Sequence, residues 1–376
     1  PETYAYYANG EHGTNYDSYP RNAQKMAEDA VEAVDPFVNF ADYDNDNDGT
    51  VDALFIVHAG PGAESTGSDD DIWSHSWSFT PQHRDGVRLS GYTTEPELHG
   101  NPADSNFVRM GVFGHEFGPA LGLPDLYDTD YSSDGVGDWS MMSGGSWNGD
   151  GTSPAHFDAW SKYQLGWIDP IVLDSDTTSV LFEPVENQPR VMRLWTEGQM
   201  GDEYFLLENR QQTGFDEYLP GEGLLIWHID ERLASNDNEY RKMVALVQAD
   251  GNRDLENGVG SDGGDPYPGL TGNTDFSAET TPGSNDYFGN PTQVAVANIT
   301  ELGDNIQFDA AVKYQNPYLV VDRWRIADGS QNNALDGGET DTLMVQLRNL
   351  GTPVHNLYGT LSTETPGISV LSDSVY

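Results

Sequence analysis

The residues best placed to do chemistry lie in one short stretch, Gly114–Asp128, which reads GHEFGPALGLPDLYD. On a helix, positions 115 and 119 share one face, one turn apart. The pattern His-Glu-x-x-His uses those two positions to hold one Zn²⁺, with the Glu beside a metal-bound water. Here His115 and Glu116 are present, and position 119 is Pro119. Gly122 lets the chain turn sharply, so Asp125 can return as a further ligand. Two imidazoles and Asp125 would be three protein ligands plus water, the set expected of a catalytic zinc. Such a metal lowers the pKa of its water, and Glu116 would take the proton as general base.

Pro119 deletes one ligand and disturbs another. Proline has no metal-binding side chain and no amide N–H for the His115 carbonyl, and an interior helix proline costs about 3 kcal/mol. The cost is smaller where the helix ends within a few residues. Three readings stay open: a disabled or weak enzyme, a one-base codon change in a working one, or another His (His58, His75 or His156) filling the gap.

Downstream, Trp139–Trp147 reads WSMMSGGSW. A Met-containing tight turn after such a helix is the second signature of metzincins, in which the Met packs beneath the metal. Met142 is the expected Met-turn residue, with Met141 as the alternative.

Oxygen-rich loops form a second class of candidates. Asp44, Asp46, Asp48 and Asp52, with the Thr50 carbonyl and Gly49, follow an EF-hand-like spacing suited to Ca²⁺. Position 12 of that loop is Phe55, so its closing ligand must come from elsewhere, and Asp42 is a candidate. Asp128, Asp130, Asp134 and Asp138 crowd the loop before the Met-turn and form a second candidate calcium group. Asp250, Asp254, Glu256, Asp262 and Asp265 form a third, in a Gly-rich loop. Asn333, Asp336 and Glu339 form a fourth. For each group the alternative is a solvated acidic turn. His156 and His228 read as packed structural histidines. The segment Val87–Leu98 (VRLSGYTTEPEL) could be an edge strand that pairs with an extended peptide, or an ordinary strand.

The elements that must position these residues follow from pattern. Residues 20–34 have the spacing of an amphipathic helix, and 53–58 (ALFIVH) that of a buried strand. Residues 107–121 and 154–167 read as two further helices, the second starting at Pro154. From about Thr177, short strand-like runs separated by Gly, Asn, Asp and Pro predict a β-rich domain. After Lys313, YLVVDRWRIAD, TDTLMVQLRNLG and LYGTLSTE resemble the first strands of an Ig-like sandwich. Only about 60 residues remain there, too few for a sandwich of ~100 residues, so a partial module is expected. The expected architecture is multidomain α/β plus β. It comprises a metzincin-like mixed α/β catalytic domain over 1–172, a β-sandwich over 173–314 and a partial Ig-like β module over 315–376.

Composition narrows the function. The chain carries 62 acidic residues against 17 Lys and Arg, a formal net charge of -45. That opposes nucleic-acid and anionic-membrane partners, which need basic surface. Both calcium-loaded loops and a salt-adapted surface are consistent with an extracellular protein. There are no cysteines, so disulfides and thiolate metal sites are excluded. No apolar run approaches the roughly 18 residues of a membrane span.

These motifs together resemble the immune inhibitor A family of secreted bacterial metallopeptidases. The resemblance runs from about Tyr4 to Val312 through YPRNAQKMAEDAV, DNDNDGTVDALFIVHAGPGAE, DIWSHSW, GHEFGPALGLPDLYD, DWSMMSGGSWNG, PAHFDAWSKYQLGWI, EYFLLENRQQTGFD and LPGEGLLIWHIDE. It implies a calcium-stabilised, zinc-dependent secreted endopeptidase, made with an N-terminal propeptide and acting on protein or peptide substrates. Carried onto this chain, it implies His115 and Asp125 as zinc ligands, Glu116 as general base and Met142 as the Met-turn residue. Pro119 departs from the family pattern. The rival expectation is an inactive pseudopeptidase that binds a peptide or another surface. A third is a calcium-dependent adhesin fragment. A monomer is expected.

Overall fold

A computed structural model describes residues 1–100 and 106–313, with parts of 319–371. Its contacts divide the chain into two compact units, Pro1–Ala311 and Val312–Tyr376.

The first unit opens with helices α1 (Tyr4–Ala8) and α2 (Ala23–Val34). Helix α2 begins where the Asn22 side chain accepts the Lys25 N–H, satisfying one of the orphan amides of the first turn. Its Ala23, Met26, Ala27 and Val31 recur at helical spacing and are buried. They share a core with Phe79, Leu89 and Tyr92 of the adjacent sheet. That sheet contains β1 (Phe55–Pro61), β2 (His75–Arg84) and β3 (Val87–Leu98), with the short helix α3 (Ala63–Thr66) after β1.

The order is β1–β3–β2, with β1 parallel and β2 antiparallel to β3. Of the two readings of Val87–Leu98, the edge strand is ruled out: it is the central strand, paired on both sides. The cause is local. Asp85 and Gly86 take φ of 52° and 93°, the pair of positive values a two-residue hairpin needs, so β2 folds straight back onto β3. The open edges of this sheet belong to β1 and β2.

Helix α4 (Met110–Ala120) carries His115 and Glu116, and Pro119 lies in its last turn. Gly122, at φ 92°, follows the helix end. Three glycines of α4 allow an unusually close approach by the segment 139–147. A Cβ on Gly111 would sit 1.9 Å from the Ser146 carbonyl oxygen, one on Gly114 2.8 Å from Met141 Cε, and one on Gly118 2.2 Å from Met142 Sδ. Helix α5 (Ala159–Gln164) follows, capped by Asp158, whose carboxylate accepts the Ser161 N–H.

The remaining strands of the unit are β4 (Ile171–Leu173), β5 (Thr177–Phe182), β6 (Met192–Leu194), β7 (Glu203–Arg210), β8 (Gly223–Asp230), β9 (Val244–Leu246), β10 (Ala295–Leu302) and β11 (Asn305–Ala311). They form a sheet ordered β4–β6–β7–β8–β9 and another ordered β10–β11–β5. Strands β7 and β8 are buried along their whole length. One core joins Leu123, Leu126, Trp139, Met142 and Trp160 to Tyr204, Leu206, Leu225, Trp227 and Val244. The expected boundary at 172/173 falls inside the first unit, and residues from both sides build this core. The second unit contains the antiparallel pair β12 (Leu319–Ala327) and β13 (Thr342–Asn349). Asn333 and Glu339 lie outside the described residues. No described helix is long and apolar enough to cross a membrane.

The close approach makes a stability prediction. In Gly111→Ala the new methyl meets a backbone oxygen that cannot rotate away, so unfolding free energy should fall by about 1–3 kcal/mol. Gly201→Ala, with nothing within 4 Å of the added Cβ, is the control and should change it little. Urea titration of both variants tests this, and equal midpoints would refute the close contact.

Candidate active site

His115, Glu116, Pro119 and Asp125 all line one cavity of roughly 750 Å³. Its other walls include Glu64, Trp73–Ser76 at the start of β2, Tyr127, Asp128, Asp134, Asp138 and the Gly260–Ser261 loop. Helix α4 supplies one wall, the edge strand β2 another, and the turn after Gly122 brings Asp125 back.

The His115 imidazole is held at both nitrogens. Nδ1 lies 2.9 Å from the Met141 carbonyl oxygen. A carbonyl only accepts, so Nδ1 carries a proton. Nε2 faces Asp125 Oδ1 at 3.3 Å. The Tyr127 ring stacks on the imidazole at 5.8 Å, and its hydroxyl donates to Asp125 Oδ2 at 3.0 Å. Burial works against charge on His115, but its hydrogen bond to Asp125 and the nearby Glu116 outweigh it, so its pKa is raised. Glu116 is pushed up to about 7, chiefly by burial, with His115 pulling the other way. A carboxyl group in that range exchanges its proton near neutral pH, as a general base or acid must.

The donors fall one short of a catalytic zinc site. An imidazole nitrogen and a carboxylate oxygen converge with suitable chemistry and spacing, but the third protein ligand is replaced by Pro119. None of the candidate substitutes supplies it. His75 lines the cavity, but its Nδ1 lies 2.6 Å from the Trp73 carbonyl and its Nε2 2.9 Å from the Tyr92 hydroxyl. Burial lowers its pKa to about 4, leaving it neutral. His58 is buried against the Tyr4 ring, and His156 lines a different cavity. His228 pairs with Glu203 and stacks on Tyr287, which fits a packed structural role.

Met142 is fully buried with its sulfur against Gly118, and Met141 packs on Gly114 while its carbonyl holds His115. The oxygen-rich loops gather in part. Asp44, Asp46 and Asp48 bring carboxylate oxygens within 4.8 Å of one another, as do Asp250, Asp254 and Asp262. Asp52 instead accepts from Asn45, and the Thr50 N–H donates to Asp48. Asp265 accepts from Trp139 Nε1 and the Asp262 N–H, and Glu256 from Lys242 and Gln248. Asp128 and Asp130 accept from the turn they lie in, while Asp128, Asp134 and Asp138 face the cavity.

Of these neighbours of the site, the sequence singled out His75 but carried no warning of Glu64, Glu95 or the rest of the start of β2. Only the alternation in HSWSF hinted that His75 and its neighbours form a strand.

Residues 1–168 match the family described as immune inhibitor A peptidase M6, catalytic domain. That match takes in the part of the chain that contains His115, Glu116 and Asp125. Similar proteins include the pre-pro-metalloprotease PrtV of two strains of Vibrio cholerae serotype O1, each 36% identical over 221 residues. That alignment covers 51% of this chain and 23% of PrtV. Immune inhibitor A of Bacillus thuringiensis subsp. alesti is 38% identical over 169 residues, which cover 38% of this chain and 23% of that protein. The aligned part is thus a minor share of each relative. The family match over residues 1–168 bears out the resemblance carried by the motifs.

Glu95 makes a pH prediction for this M6 domain. It is fully buried on β3, and neither carboxylate oxygen has a hydrogen-bond partner among the described residues. Burial pushes its pKa up to about 8, from an unfolded value of about 4.3. The folded state therefore binds the extra proton, and its stability falls as pH rises from about 4 to about 8. Glu95→Gln mimics the protonated acid. It should match the parent near pH 4 and exceed it by several kcal/mol near pH 8, since each pH unit between the two values is worth about 1.4 kcal/mol. Denaturant unfolding at both pH values checks this, and a variant weaker at the higher pH would contradict it.

Proposed function

We propose that the chain is the catalytic part of a secreted, zinc-dependent endopeptidase cleaving protein substrates, and that Pro119 holds this copy at low activity. The observation that carries this reading is the convergence of His115, Glu116 and Asp125 in one cavity on an M6 domain, with Pro119 at the missing ligand position. In the family pattern the metal supplies Lewis-acid activation of water. With one donor missing, no step is assigned to a metal here.

The chain's own residues retain distinct roles. The start of β2 lines the cavity at Trp73–Ser76 and forms the wall along which a peptide substrate would lie. Glu116 holds or releases a proton at its carboxylate near neutral pH. Met142 and Met141 support α4 from below. The Asp44–Asp46–Asp48 and Asp250–Asp254–Asp262 groups suit Ca²⁺ that would brace the loops. The charge of -45 agrees with an extracellular setting, while the lack of cysteine leaves the compartment open.

A second reading has its own support. Nε2 of His115 faces Asp125 Oδ1 directly at 3.3 Å, so the two side chains can serve as each other's partners. A pseudopeptidase that grips peptide without cutting it would keep this pairing.

The decisive comparison is between this chain and Pro119→His on an unfolded protein substrate, with bound zinc measured. Pro119→His should bind about one zinc per chain and cleave on the order of 100-fold faster or more, and adding Glu116→Gln should abolish the gain. A zinc-free, inert Pro119→His protein would end the peptidase reading. Binding of the same substrate without cleavage by both would establish the second.

A further inference from the structure

A chain of hydrogen bonds links His115 to a buried ion pair in the β-rich half of the first unit. Arg210 ends β7, and Asp216 lies on the turn Gly214–Tyr218; both are fully buried. Arg210 Nε and Nη2 donate to Asp216 Oδ2 and Oδ1 at 2.6 and 2.7 Å. Asp216 Oδ1 also accepts the His156 N–H at 2.9 Å. The His156 carbonyl accepts the Met141 N–H at 3.2 Å, and the Met141 carbonyl accepts from His115 Nδ1 at 2.9 Å. Arg210 Nη1 reaches the Trp139 carbonyl as well, at 3.3 Å. The segment leading into the Met141 carbonyl is thus held at two points, the Trp139 carbonyl and the Met141 N–H, by groups tied to one ion pair.

We propose that Arg210 and Asp216 are positioning residues for His115, acting through the backbone of His156 and Met141. They hold the Met141 carbonyl where it fixes the proton on Nδ1 and turns Nε2 toward Asp125. The bidentate pairing matters because two parallel N–H···O bonds set direction as well as distance. The inference rests on His115 being the imidazole of the site, and it does not require the chain to cleave peptides.

The test reads His115 itself. In ¹⁵N-labelled protein, the Nδ1–H nuclear magnetic resonance signal of His115 should be slow to exchange with water. Asp216→Asn keeps an oxygen for the His156 N–H but loses the charged, bidentate grip. It should shift that signal and speed its exchange on the order of tenfold. Arg210→Lys keeps the charge and loses the fork, so it should do the same if the first variant fails to fold. Phe308→Leu, in the β10–β11–β5 sheet, lowers stability without touching the chain of bonds and should leave His115 unmoved. Unchanged His115 signals in a folded Asp216→Asn or Arg210→Lys protein would overturn the proposal. So would an equal change in Phe308→Leu. In a Pro119→His background, Asp216→Asn should lower kcat with KM unchanged. An inert Pro119→His protein would count against the peptidase reading alone, because the His115 signals decide the positioning role without any turnover.

Discussion

A single buried guanidinium organises the first unit. Arg210 has no exposed surface and meets Asp216, Glu208 and Glu186, while Lys162 pairs with Glu208. Burying charge is costly unless it is balanced and hydrogen-bonded. Burial opposes ionisation of Glu208 and Asp216, yet the two cations hold Glu208 down and Arg210 holds Asp216 well below the usual carboxylate range. Glu186 goes the other way, up to about 8, through burial and its hydrogen bond to Asp216. Arg210 and Lys162 thus face Glu208 and Asp216 as ion pairs, and burial favours the protonated form of Glu186. A chain with so few cations commits two of them to this interior balance. Trp227 Nε1 and the Trp139 carbonyl attach the β-sheet and the Met-turn to the same cluster.

That arrangement explains why the site spans segments far apart in sequence. The imidazole and Glu116 come from α4, the returning carboxylate from the turn after it, and one wall from the edge of β2. The backing segment 139–147 is bonded to residues beyond position 200. The M6 match ends at residue 168, whereas the packing that supports the site does not.

What the sequence made legible was local. Helix α2, helix α4 and strand β1 announce themselves by spacing within about fifteen residues, but the run 53–58 that reads as a buried strand belongs to an edge strand with Phe55 and Val57 exposed. His115, Glu116 and Asp125 could be grouped in advance because a helix followed by a glycine turn fixes their relation. The place of Val87–Leu98 could not be inferred in that way. The Asp85–Gly86 pair marks a hairpin, but nothing local says that β1 will take the other side of β3. Glu95 was hidden for a related reason: a Glu in a Thr-rich strand reads as exposed, and only the packing of α4 over β3 makes it a buried acid. The oxygen-rich loops fall between. Their spacing gathered Asp44, Asp46 and Asp48, while Asp265 and Glu256 were diverted by Trp139 and Lys242, partners that no spacing rule could supply.

The face of α4 with Gly111, Gly114 and Gly118 has a further consequence. A surface already reduced to hydrogen atoms can change in one direction only, since every substitution there adds bulk. Variation at this joint must come from the opposing side, where Met141 and Met142 are flexible, can shorten or bend, and have volume to give up. The helix that presents the chemistry is thus the fixed half of the joint, and the two sulfur side chains are the half that can be tuned.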